Sequence, residues 1–149
     1  MQKNKVNWVI DAVKGTSADG PSETTPEAES SSQTITGGAK AVSCSGCSGA
    51  SSIGYIGGST NGKLTFPAVS STANAMTTIR IHYTNGDSKQ RYANVIVNGV
   101  AKVVAFVPTG GDVSPKASAL TVPLKSGSNT IIFEGINGGW GKLSSSLLF

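Results

Sequence analysis

The sequence predicts an all-β domain, two antiparallel sheets packed face to face as a jelly-roll-like sandwich, on three observations. Short apolar and β-branched runs alternate in parity and are separated by turn signals roughly every eight to twelve residues. Glycine is abundant, 19 of 149 residues, as a turn-rich chain requires. Helical periodicity does not persist over any window of about ten residues or more.

The elements follow in chain order. Val6-Asn7-Trp8-Val9-Ile10-Asp11-Ala12-Val13 is apolar enough for a strand or short helix, whereas Gly15 to Pro26 has the Ser, Thr, Gly, Pro and acid content of a linker. Residues 1–26 therefore read as a tail and residues 27–149 as one sandwich module. Within that module Leu64 and Phe66 share one parity. So do Ile79, Ile81 and Tyr83, then Ala93, Val95 and Val97, then Leu120, Val122 and Leu124, then Ile131 and Phe133. Each set is the inward face of a half-buried strand, and Thr78, Arg80 and His82 mark an outward one. Asn-Gly pairs at 61–62, 85–86, 98–99 and 137–138 suit type I′ turns. The pair Asn98-Gly99 lies between Asn94-Val95-Ile96-Val97 and Val100-Ala101-Lys102-Val103-Val104, so those runs should form a hairpin.

Charge narrows the partners. The chain has 12 basic and 8 acidic residues, a net charge of +4. Residues 1–29 hold three Lys and five acids, leaving a basic body, but its cations are scattered rather than clustered. Phosphate neutralisation needs clustering, so no nucleic-acid partner is expected. Nor is a membrane partner, because no apolar run approaches the ~20 residues of a spanning helix.

Catalysis finds little support. Downstream of Glu29 the only acids are Asp87, Asp112 and Glu134, the only histidine is His82, and no nucleophile-elbow, phosphate-loop or metalloprotease motif occurs. Cys44 and Cys47 in Cys44-Ser45-Gly46-Cys47 supply half of a zinc ligand set and lie among loop residues, so a small structural disulfide is the reading. Such bonds persist in oxidising compartments, which points to a secreted, extracellular chain. Glu27-Ala28-Glu29 reads equally as a Ca²⁺ site, with two carboxylates on one side of a strand, or as a solvated acidic edge. Tyr55 and Trp140 sit among glycines, where a ring faces solvent and can stack on a sugar while neighbouring polar groups take its hydroxyls.

An ordered series carries a resemblance. Glu27-Ala28-Glu29, Gly37-Gly38-Ala39, Cys44 to Gly49, Gly54-Tyr55-Ile56-Gly57-Gly58, Asn61 to Phe66, Ile81 to Gly86, Val97-Asn98-Gly99 and Pro123 to Ile131 resemble, in order, carbohydrate-binding module family 35. The likeness is greatest to modules attached to fungal galactan- and galactoside-degrading hydrolases. It implies a jelly roll with a structural Ca²⁺ and a sugar site in loops at one end. By that resemblance Glu27 and Glu29 match the metal-binding pair, with Ser145 where the family has a metal-binding Asp. Tyr55, Arg91 and Trp140 match sugar-contacting positions, with Asp112 and Asn137 as further polar candidates, whereas Leu143 replaces a sugar-bonding Asn or Asp. The implied function is non-catalytic: a monomeric module holding a covalently attached glycoside hydrolase on a galactose-containing polysaccharide such as β-1,3-galactan. The alternatives are a mannan, xylan or uronic-acid binder, or a structural or protein-interaction sandwich that has lost its sugar loop.

Overall fold

In a computed structural model, which describes residues 8–16, 31–47, 50–57, 60–111, 114 and 116–136, the alternating runs form two five-stranded antiparallel sheets. The first contains, in spatial order, β3 (Lys40–Ser43), β4 (Ser51–Gly54), β1 (Trp8–Thr16), β6 (Ala75–Asn85) and β9 (Lys116–Leu124). The second contains β2 (Thr34–Thr36), β5 (Lys63–Ser71), β10 (Gly127–Gly135), β7 (Arg91–Val97) and β8 (Val100–Phe106). Consecutive strands share a sheet only in β3–β4 and β7–β8, and every other connection among these strands crosses between the layers.

The parity sets meet between the sheets. Leu64, Phe66, Ile79, Ile81, Tyr83, Val95, Phe106, Ile131 and Phe133 are all at most 2% exposed and belong to one core. Phe66 meets Phe133 edge-on, and Tyr83 meets Phe106 in the same way. Edge-to-face pairs of this kind add about 0.5–1.5 kcal/mol to the burial itself.

Local exceptions to the pattern have structural reasons. Pro67 lies inside β5, an internal strand, where a missing N–H would break the ladder. There Phe66 pairs with Ile131 and Val69 with Asn129, so two β5 residues oppose one on β10, and the proline sits in that bulge. Pro123 lies on β9, an edge strand.

Two sequence expectations are corrected. Trp8–Thr16 is no part of a tail, because β1 lies between β4 and β6 with Trp8 opposite Asn85 and Thr16 opposite Thr78. The sandwich therefore begins before residue 27. Of the Asn-Gly pairs among the described residues, only Asn98-Gly99 has positive φ at both residues, 48° and 89°, and it closes the expected β7–β8 hairpin. Asn61 alone is left-handed at its pair, whereas Asn85 works through its side chain, and Asn137-Gly138 lies outside the described residues.

One end of the sandwich is pinned by Asn129, which is 1% exposed. Its Oδ1 accepts from the Lys125 N–H and from Asn98 Nδ2, each at 2.8 Å, and its Nδ2 donates to the carbonyls of Val69 and Lys125. One side chain thus ties the β9–β10 turn to β5 and to the β7–β8 hairpin. The Cys44–Cys47 disulfide forms in the β3–β4 connection at this same end, burying both cysteines with Val42 in a small cluster apart from the main core.

Candidate carbohydrate-binding site

The opposite pole gathers the ends of β4, β6, β8 and β10 and the starts of β3, β5, β7 and β9. Tyr55 follows β4 there, and Arg91 opens β7. The connection from β8 to β9, which carries Asp112, leaves and re-enters the described structure at this pole, and β10 ends there ahead of Asn137 and Trp140. Those three residues lie outside the described residues, as do Glu27, Glu29 and Ser145 of the expected Ca²⁺ site. Among the described residues no group of three or more His, Cys, Asp or Glu side chains could hold a metal.

Tyr55 is half-buried and belongs to neither core cluster, as a loop-borne ring should. Its backbone is left-handed, with φ 63°. For an L-residue with a bulky side chain that conformation is uncommon and costs about 1–2 kcal/mol. The surroundings hold it there. Gly57 and Gly62 exchange backbone hydrogen bonds of 2.7 and 3.1 Å, closing the loop, and a Cβ on Gly62 would stand 2.0 Å from the Tyr55 carbonyl oxygen. Glycine is therefore required at position 62 for the close approach. Lys40, opposite Gly54 on β3, places its ammonium 4.8 Å from the centre of the Tyr55 ring. The sequence placed this ring among glycines, facing solvent. There a cation stands over its face.

Arg91 is held at this pole by an ion pair. It shares the inward parity of Ala93, Val95 and Val97, its side chain is only 14% exposed, and its guanidinium is ion-paired with Asp87. Asn85 organises the surrounding connections and is itself fully buried. Its Nδ2 donates to the carbonyls of Lys89 and Phe106, and its Oδ1 accepts from the Asp87 N–H at 3.0 Å. Its backbone N–H donates to Thr109 Oγ1, while the Thr109 N–H returns a bond to the Asn85 carbonyl. Arg91 thus braces the rim from behind, together with Asp87 and Asn85.

Beside the Tyr55 loop, on the outward face of the second sheet, is a polar cavity of about 380 Å³ lined by Asn61, Gly62, Lys63, Asn94, Glu134 and Gly135. Register explains it. Glu134 on β10 pairs with Lys63 on β5 and with Asn94 on β7, so three polar side chains stand in a row across adjacent strands. Lys63 Nζ lies 3.1 Å from Glu134 Oε1. Sequence reasoning singled out none of these as binding residues. Their outward parity was readable from Leu64, Phe133 and Ala93, but their adjacency depends on pairing between strands far apart in the chain.

Comparison with known proteins agrees with this architecture. The family described as "CBM13-like: Alpha-galactosidase, CBM13 domain" matches residues 63–143. A comparison with curated proteins gives no match. Among solved structures, a family 35 carbohydrate-binding module from Clostridium thermocellum superposes with TM-score 0.71 at 28% identity, covering 80% of this chain and 89% of that one. An exo-β-1,3-galactanase from Phanerochaete chrysosporium, solved with galactose, gives 0.67 at 26% identity over 83% of this chain, which spans 28% of the galactanase. A Paenibacillus barcinonensis family 35 module at 24% identity and TM-score 0.65, covering 77% of this chain and 91% of that one, shares the fold. The chain belongs to the CBM13-like family of α-galactosidase domains and is built as a family 35 carbohydrate-binding module, a non-catalytic β-sandwich.

Proposed function

We propose that this module captures a galactose-containing polysaccharide, such as β-1,3-galactan, for a glycoside hydrolase attached in the same polypeptide. The observation that carries the reading is Tyr55, a half-exposed aromatic held at φ 63° beneath Lys40 at the loop-bearing pole. Strained backbone under an accessible ring is what a site needing a fixed stacking surface retains at the expense of stability. The likeness to a galactanase solved with galactose, and to a family described as an α-galactosidase domain, supports galactose as the sugar.

In this reading Tyr55 and Trp140 provide stacking surface, Asp112 and Asn137 take hydroxyls, and Arg91 fixes the rim through Asp87. Ca²⁺ held by Glu27, Glu29 and Ser145 stabilises the module without touching sugar, so adding a chelator lowers Tm and restoring Ca²⁺ recovers it. The Cys44–Cys47 bond suits a secreted parent chain. Capture raises the local concentration of substrate around the attached enzyme.

Titration of the module and of Tyr55→Ala and Trp140→Ala against β-1,3-galactan tests the site. The expected dissociation constant is on the order of micromolar to millimolar, as a shallow exposed site gives, and each variant weakens binding by about tenfold or more. Unchanged binding in both variants overturns the assignment. Failure of the intact module to bind any glycan leaves the sandwich a scaffold or protein-interaction role.

A further inference from the structure

The outward face of the second sheet carries groups that the Tyr55 loop does not use. Lys63, Glu134 and Asn94 occupy one register row on β5, β10 and β7. Neighbouring strands lie about 4.8 Å apart, so the row spans roughly 10 Å. Gly62 and Gly135 leave the adjoining wall without side chains, and the resulting cavity of about 380 Å³ is within the ordinary range for small-molecule sites.

The chemistry of the row is specific. Glu134 offers only acceptors and Lys63 only donors, 3.1 Å apart, while the half-buried Asn94 amide offers both and has no hydrogen-bond partner among the described residues. A sugar hydroxyl donates and accepts at once, so neighbouring hydroxyls of a pyranose suit an alternation of carboxylate, ammonium and amide. The lysine cancels the carboxylate, so a uronic acid meets Glu134 without an uncommitted cation to repay it. The ion pair is partly solvated, with side chains 47% and 26% exposed, and contributes little to folding.

An aromatic platform adjoins the row. Tyr92 precedes Asn94 by two residues on β7, hence on the same face, and is 43% exposed. Its strand neighbour is the small Ala105, and Gln90 Nε2 donates to its hydroxyl at 2.6 Å, which holds the ring in place.

We propose that Asn94, Glu134 and Lys63 form a second glycan subsite that takes one neutral hexopyranose unit, with Tyr92 the stacking surface for the next unit along the chain. The subsite adjoins the Tyr55 loop through Gly62 and extends the polysaccharide contact onto the sheet face. This inference rests on the reading that the module binds a neutral glycan.

NMR titration of the intact chain with galactose, β-1,3-galactobiose and glucuronic acid tests it. Galactose and galactobiose should shift the Asn94 and Asn61 side-chain amide signals, and glucuronic acid should not. Asn94→Ala and Glu134→Gln should each lower galactobiose affinity at least fivefold with Tm held within a few degrees. Tyr92→Ala should weaken the disaccharide more than the monosaccharide. Neutral sugars that shift only signals of the Tyr55 loop overturn the subsite and leave the underlying reading intact. Glucuronic acid shifting the cleft as strongly as galactose overturns the neutral-sugar assignment. No shift anywhere with any neutral sugar overturns both.

Discussion

Replacing Tyr55 by alanine and by glycine separates what the ring does from what its backbone costs. Both substitutions delete the phenol and its contact with the Lys40 ammonium, 4.8 Å from the ring centre. They differ in the backbone. Alanine at φ 63° retains the left-handed penalty of about 1–2 kcal/mol, whereas glycine removes it and returns about 0.5–1 kcal/mol through the greater entropy of its unfolded chain. The net difference favours glycine by about 1 kcal/mol. For a domain of this size that raises Tm by about 3 °C relative to alanine, reversing the usual order of the two residues. Calorimetric melting reads the stability difference, and titration with β-1,3-galacto-oligosaccharide reads binding, which both variants should lose alike by about tenfold or more. Alanine equal to or more stable than glycine would refute the strained conformation. Affinity retained in both would refute the stacking role, even with the stability order as expected.

Other predictions concern the scaffold. Asn129→Ala leaves the Lys125 N–H and the Val69 carbonyl without their side-chain partner at a fully packed turn, and should cost about 2–3 kcal/mol in denaturant unfolding. Glycan affinity should not change, because Asn129 lies at the pole opposite Tyr55. Cys44→Ser with Cys47→Ser opens a loop of sequence separation 3, so the loss should reach about 2 kcal/mol at most and leave the main core's near-UV signal unchanged. Burial raises the Tyr83 phenol above its ordinary ionisation range, against a smaller opposing effect of its hydrogen bond with the Val107 backbone. The unfolded phenol, with a pKa of about 10, then ionises first, so this contribution is complete below pH 10 and is lost as pH rises beyond it. The stability difference between the parent and Tyr83→Phe should decline over that alkaline interval, and a flat difference would contradict the assignment.

Much of this molecule could be read from parity and turn chemistry. Ile79, Ile81 and Tyr83 share an inward face, Ala93, Val95 and Val97 another, and Asn98-Gly99 closes the hairpin between two β-branched runs. The CxxC pair joins as a local loop closure. The run Val6 to Val13 was readable as a strand or short helix, but its place inside the sandwich was not, since a register shift between Ile10 and Val13 breaks its alternation and its partners lie some 40 to 80 residues downstream. At Asn85-Gly86 the same dipeptide that turns a hairpin elsewhere serves through a buried amide, because Phe106 and Lys89 present carbonyls to it. The ion pair of Arg91 with Asp87 was not legible, because the turn that folds Asp87 back against Arg91 is not encoded in spacing alone. The row of Lys63, Asn94 and Glu134 required strand register, which no single run contains.

The most direct measurement is affinity electrophoresis of the intact module through gels containing β-1,3-galactan, xylan, mannan or polygalacturonate, with Ca²⁺ present throughout. The account predicts retardation by galactan, weak or no retardation by the others, and loss of the galactan effect in Tyr55→Gly. Equal mobility in every gel, or retardation by polygalacturonate alone, would contradict it.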